Sequence, residues 1–164
     1  YQVMNTLNFN NNFFNIEFMF NPDTHELYII EINPRAAYQF ADLYEKVDGL
    51  NTYDQMVALA VGDPVEQPSA CGNFQRASSC VLRTFENKKV LRSPHKKDIE
   101  RVYERFPDAR LSIFTQEGDL LSDIVQDGKS YCYAFINLGG QSQEEISEKL
   151  AECERLLNFQ FASI

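Results

Sequence analysis

The stretch Phe13–Arg35, FFNIEFMFNPDTHELYIIEINPR, limits what this chain can fold into more than any other. Its flanks, Phe13–Phe20 and Leu27–Ile32, are rich in aromatic and β-branched residues, and Asn21-Pro22-Asp23-Thr24 between them is turn chemistry. A hairpin is expected. Folded about Thr24, it sets Glu17 opposite Glu31, and Asn33, two residues further along the same strand, shares their face. Two facing acids repel, so a sheet gains from this placement only if something positive lies between them. Two carboxylates and a carboxamide are hard oxygen donors suited to Mg²⁺ or Mn²⁺, and Mg²⁺ is commonly held by one or two carboxylates together with nucleotide phosphates. The apolar run Tyr28-Ile29-Ile30-Glu31-Ile32 also predicts that Glu31 is at least half buried, where a carboxylate is costly unless paired or ligated. Two plainer readings stand beside these. The hairpin is solvated and metal-free, or Arg35 pairs with one of the glutamates instead of meeting phosphate.

Composition narrows the classes of function. At 164 residues and 44% hydrophobic, the chain is long enough to bury a core. A net charge of −9 and the lack of a basic patch with interleaved aromatics argue against nucleic acid and against anionic membrane surfaces. No apolar run reaches membrane-spanning length and no basic-then-apolar leader opens the sequence, so a soluble, cytoplasmic protein is expected. Cys71, Cys80, Cys132 and Cys153 are widely spaced, without a C-x-x-C pair or a histidine at zinc-finger spacing. They read as free, partly buried thiols, and neither His25 nor His95 is evidently linked to any of them as a catalytic base.

The hairpin residues also carry a resemblance. Glu17, then Glu31-Ile32-Asn33-Pro34-Arg35, then Asp48-Gly49-Leu50-Asn51 and the run ending Ala60-Val61-Gly62-Asp63-Pro64, resemble the C-terminal half of an ATP-grasp domain, as in carbamoyl-phosphate synthetase, biotin carboxylase and the amino-acid ligases. The resemblance implies that Glu17, Glu31 and Asn33 coordinate the metal ions that bridge ATP phosphates. It also implies that Arg35 approaches the phosphates or an acyl-phosphate intermediate, as a catalytic and nucleotide-binding residue. ATP, Mg²⁺ or Mn²⁺, a small carboxylate and an amine or other nucleophile would be the ligands. Ala36-Ala37-Tyr38 stands where family members often carry small or glycine-rich residues. The sequence opens at Tyr1 without an initiator Met, and it contains no G-x-x-x-x-G-K-[ST] segment. The expectation is therefore a cut through a domain, with the phosphate-covering N-terminal half missing and the isolated chain inactive. A non-catalytic remnant that binds a partner or a metal is the alternative.

The rest of the chain reads as α+β. Phe40–Lys46 is expected as a short amphipathic segment, and Thr52 as the cap of a helix that runs to Val61 and is closed by Gly62. The Pro- and Gly-rich stretch 62–73 marks a boundary, giving residues 1–66 as the C-terminal portion of an ATP-grasp domain and 74–164 as a small C-terminal α+β domain. There the pattern predicts a strand at 77–85, a return strand at Val90-Leu91, and a helix capped by Ser93-Pro94 that runs to Phe106. Strands at 109–115 and 131–138, a capping-box helix from Ser142 to Leu157 and a last strand at 159–161 complete an antiparallel sheet with helices on one face. Gly139-Gly140 ahead of that helix reads as a loop, with a backbone anion site as the other possibility. Arg92, His95, Lys96, Lys97 and Arg101 form a basic cluster, read as a solvated helix face or as a contact for an acidic partner or phosphate.

Overall fold

The computed structural model describes residues 2–65, 67–124 and 126–164. Tyr1 and Glu66, the outer limits of the first expected domain, lie outside the described residues, as does Val125. The chain divides into two compact units, Tyr1–Cys71 and Gly72–Ile164.

In the first unit, α1 (Gln2–Thr6) leads to the hairpin of β1 (Asn15–Asn21) and β2 (Glu26–Asn33), followed by a 3-10 turn at Tyr38–Phe40, α2 (Ala41–Asp48) and α3 (Thr52–Val61). The hairpin turn is held by the Asn21 side chain, whose Oδ1 accepts from the amides of Asp23 at 3.0 Å and Thr24 at 3.3 Å. Gly49 ends α2 at φ +70°, and a Cβ there would stand 2.7 Å from Cys71 Sγ, so both the backbone angle and the neighbour demand glycine. The cap of α3 is Asn51, not Thr52: Asn51 Oδ1 accepts from the amides of Tyr53 and Asp54. Thr52 instead donates its buried hydroxyl to the Ala41 carbonyl at 3.1 Å and so ties α3 to the start of α2.

The second unit contains β3 (Arg76–Thr84), β4 (Lys88–Arg92), α4 (Lys96–Arg105), β5 (Arg110–Ile113), β6 (Gln126–Asp127), β7 (Ser130–Gly140), α5 (Gln143–Leu157) and β8 (Gln160–Ser163). One antiparallel sheet has the order β3-β7-β5, with β6 also on β7, and β4 pairs with β8 apart from it. The fold is α+β, as expected. Along β7, Cys132, Ala134, Ile136 and Leu138 are buried and pack with Val102 and Phe106 from the α4 region and with Ile146, Cys153 and Leu157 of α5. The period-2 alternation of the strand meets the 3.6-residue stripe of each helix at this core.

Three expectations are corrected here. Strand β4 does not return along β3, because Arg92 Nη1 donates to the carbonyls of Leu157 at 3.1 Å and Asn158 at 2.8 Å, which pins β4 beside the end of α5, where β8 follows. Ser93 is buried and donates to the Thr115 carbonyl, so the helix cap passes to His95, whose amide donates to Asp98. Gly139 and Gly140 are not a loop. They continue β7 opposite Ala77 and Arg76, and a Cβ on Gly139 would overlap the Phe74 ring. Their small size serves packing, and the amide of Gly139 is taken by Asp108 Oδ2 at 3.3 Å. The basic cluster is also partly absorbed, since Arg92 pairs with Asp98 at 2.5 Å and Arg101 lies 3.9 Å from the same carboxylate.

Burial works against ionisation of Asp98, but the hydrogen bonds from the His95 amide and Arg92 and the guanidinium charge outweigh it and lower its pKa below the usual carboxylate value. Because the folded-state pKa is depressed, the stabilisation is complete above the unfolded-state value of about 4 and is lost as pH falls through the folded-state value. Asp98→Asn is expected to cost about 1–2 kcal/mol at neutral pH. It should also flatten the acid limb of a urea-midpoint-versus-pH curve below about pH 4; an unchanged limb would remove Asp98 from this role.

Candidate metal and phosphate site

Near the turn, β1 and β2 pair as Asn21–Glu26, Phe20–Leu27, Met19–Tyr28 and Phe18–Ile29. Continued regularly, that register would put Ile30 opposite Glu17 and Glu31 opposite Ile16, with the two acids on opposite faces. A β-bulge intervenes between Glu17 and Phe18, leaving Ile30 as the extra residue of β2. Beyond it the pairs are Glu17–Glu31, Ile16–Ile32 and Asn15–Asn33. The bulge therefore compensates for the turn and brings the acids face to face.

Asn33 Nδ2 donates to Glu31 Oε1 at 2.6 Å, which places the amide beside the carboxylate and leaves its Oδ1 as a further oxygen donor. Two carboxylates and one amide oxygen form an all-oxygen set, which fits a hard divalent cation. Among the described residues, no group of three or more His, Cys, Asp or Glu side chains is placed to hold a metal, so the hairpin set depends on Asn33 as its third member. Glu17, Glu31 and Arg35 are all exposed. The expected burial of Glu31 is thus corrected: Tyr28, Ile29 and Ile30 before it are themselves 54%, 49% and 58% exposed, and burial begins only at Ile32 and Asn33, which are half-buried. Arg35 follows a tight turn in which its amide donates to the Asn33 carbonyl at 2.8 Å, and its Nη1 reaches the Ala36 carbonyl at 3.4 Å. Among the described residues no ion pair joins it to Glu17 or Glu31.

The cysteines stay outside this chemistry. All four are free. Cys153 is buried, and burial first, then the charge of Glu152 and other neighbours, pushes its thiol up to about 12, far from a thiolate at neutral pH. His25 sits at φ +57° in the hairpin turn with its ring edge-on to Phe20, and His95 begins α4.

Residues 1–68 match the family described as carbamoyl-phosphate synthase L chain, ATP binding domain. Both units are represented in solved structures. The phosphoribosylaminoimidazole carboxylase ATPase subunit of Aquifex aeolicus superposes with a TM-score of 0.60 at 15% identity, over 96% of this chain and 41% of that one. The chain shares the fold of part of this ATPase subunit. The ATP-grasp likeness extends to the biotin carboxylase of Campylobacter jejuni, solved as a β-γ-ATP complex, with a TM-score of 0.59 at 14% identity over 92% of this chain and 32% of that one. It extends also to the biotin carboxylase domain of the Hydrogenobacter thermophilus 2-oxoglutarate carboxylase, solved with MgADP, ADP and bicarbonate, with a TM-score of 0.57 at 12% identity over 91% and 31%. The chain spans less than half the length of each of these ATP-grasp proteins. No curated protein sequence matches it.

The bulge went unforeseen in the sequence. Symmetry about Thr24 placed Glu17 opposite Glu31, but the loop closes between Asp23 and Thr24, and the doubled Ile29-Ile30 makes up the difference. In the metal-free protein the facing carboxylates repel. Glu31→Gln is therefore expected to raise the melting temperature of the first unit slightly at low salt, and the gain should vanish at molar salt as screening shortens to a few ångströms. A decrease at low salt would show that the two acids are not in repulsive contact.

Proposed function

We propose that the chain is the C-terminal part of an ATP-dependent carboxylate–amine ligase, or of a related ATP-grasp carboxylase, and that it is inactive without the N-terminal half of that enzyme. The observation that carries this reading is the placement of Glu17 against Glu31 across a bulged hairpin, with Asn33 hydrogen-bonded to Glu31 on the same face. The family match of residues 1–68 to an ATP-binding domain supports nucleotide use, and the MgADP complex of the Hydrogenobacter relative supports a magnesium requirement.

In this reading the Glu17 and Glu31 carboxylates and the Asn33 carbonyl oxygen hold Mg²⁺, or Mn²⁺, against the phosphates of ATP. A cation held there would supply neutralisation of crowded phosphate charge. In the ligase reaction a substrate carboxylate oxygen bonds to the γ-phosphorus as the β–γ bridging oxygen leaves with ADP, and an amine then displaces phosphate from the acyl phosphate. The hydrogen bond from Asn33 to Glu31 fixes the carboxylate's orientation before the nucleotide arrives. Arg35, whose planar guanidinium suits bidentate oxyanion recognition, meets phosphate or acyl-phosphate oxygens at the same end of the hairpin.

The exposed hydrocarbon of the ribbon supports a missing partner surface. By alternation Phe18, Phe20, Leu27 and Ile29 share the face opposite the acids, and each is about half exposed or more. An isolated two-stranded ribbon is marginal in water, so this face gains most if the absent half covers it.

In the intact enzyme, Glu31→Gln should abolish ATP turnover and Mn²⁺ binding while far-ultraviolet circular dichroism is unchanged and the melting temperature does not fall. Normal ADP release by that variant at saturating Mg²⁺ would refute the metal role.

A further inference from the structure

A fourth polar side chain stands at the metal end of the hairpin. Asn15 pairs with Asn33 across the ribbon and lies two residues before Glu17 on β1, so alternation puts it on the face of the acids. Glu17 and Glu31 form one row of that face. Asn15 and Asn33 form the next, about 7 Å along the strands, with Cβ atoms about 5 Å apart within a row. Asn33 leads by a tight turn into Arg35, so the second row lies on the Arg35 side of the acids.

The other polar groups of this face are engaged. Asn33 Nδ2 donates to Glu31, and toward the turn Tyr28 donates to Glu26 and Asn21 accepts from the amides of Asp23 and Thr24. Asn15 is half-buried, and among the described residues its carboxamide makes no hydrogen bond. A carboxamide partly withdrawn from water gains from a partner that the hairpin does not supply.

The surrounding charge says which half of that amide a ligand would use. Mg²⁺ is commonly satisfied by one or two carboxylates with phosphate oxygens and waters, and Glu17, Glu31 and Asn33 Oδ1 already offer three oxygens. A further neutral oxygen would add no charge to hold the cation. Phosphate oxygens turned away from the cation would lie over two carboxylates, and N–H donors relieve that repulsion. Nδ2 of Asn15 is such a donor, placed beside the acids without adding to their charge.

We propose that Asn15 is a phosphate-binding residue, donating from Nδ2 to an oxygen of the transferred phosphate that the metal does not hold. The proposal rests on the metal and phosphate reading of the hairpin, to which it adds a residue.

The test uses the 164-residue chain with two probes: Mn²⁺ alone, followed by electron paramagnetic resonance of the free ion, and the Mn²⁺ complex of inorganic tripolyphosphate, followed by water-proton relaxation. Asn15→Ala should leave the affinity for Mn²⁺ alone within about twofold and weaken the tripolyphosphate complex about tenfold, the worth of one hydrogen bond to a charged group. Asn15→Asp, nearly the same in shape, should weaken the complex further, because a third carboxylate replaces the donor, while Mn²⁺ alone binds at least as tightly. Tighter binding of the complex by Asn15→Asp would overturn the donor role and make the side chain a metal ligand. Equal affinity of all three proteins for the complex would overturn any contact with phosphate. Loss of affinity for both probes in equal measure on Asn15→Ala would assign the side chain to the structure of the hairpin and overturn the proposal. Binding of Mn²⁺ but not of the complex by the unsubstituted chain would overturn the phosphate contact and leave the metal site standing. Failure of the unsubstituted chain to bind Mn²⁺ at all would overturn the metal reading and this proposal with it.

Discussion

Everything proposed for the first unit depends on the phase of one strand against its neighbour. Side chains alternate along a strand, so a one-residue slip of β2 would carry Glu31 and Asn33 to the opposite face from Glu17. The turn fixed by Asn21 sets one register and the Glu17–Glu31 pair requires another, and the extra residue Ile30 reconciles them. Bulges bend a strand and re-aim its side chains, and they persist where function outweighs regular pairing. Here the same shift also sorts the ribbon chemically. Glu17, Glu31 and Asn33 take one face with Tyr28 and Glu26, and Phe18, Phe20, Leu27 and Ile29 take the other.

The second unit depends on contacts far apart in sequence. Arg92, at the end of β4, bonds to the last carbonyls of α5 and to Asp98 at the start of α4, so one guanidinium fastens a strand to both helices. The C-terminal end of α5 would otherwise leave these carbonyl acceptors without a protein partner. Lys149 plays a similar part at the other end of α5, donating to the Gly139 carbonyl at 2.8 Å while lying over the Phe74 ring. These two cations stabilise the unit by satisfying backbone oxygens and covering hydrocarbon, and Arg92 is one of the residues that the sequence offered as a contact for an acidic partner or phosphate.

What was legible in the sequence follows from this difference. Local rules sufficed for the hairpin, for α3 and α5, and for the α+β class, because β-branched runs, Asx turns and Ser142 act within a few residues. The same rules missed the partner of β4, the buried role of Ser93 and the strand state of Gly139-Gly140, each decided by a residue twenty or more positions away: Leu157, Thr115 and Ala77. At the candidate site, the facing of Glu17 and Glu31, with Asn33 on their side of the ribbon, was readable from spacing, whereas Arg35 entered through the resemblance. The burial of Glu31 was not, since an apolar run implies a covering surface without showing where that surface comes from.

The charge balance extends the argument beyond any one residue. Residues 1–71 carry a net charge of −8 and residues 72–164 carry −1, so nearly the whole negative charge of the chain lies in the unit with the facing acids. A polyphosphate ligand is anionic, and such a unit repels it over about a Debye length, roughly 8 Å at physiological ionic strength. A site of this charge can take a nucleotide only after divalent cations invert the local potential, or with cationic groups supplied from outside the unit. The acids that disfavour the empty hairpin thereby limit how a nucleotide reaches it. A nucleotide would come either to acids already masked by divalent cations or to a hairpin whose covering surface brings positive charge with it.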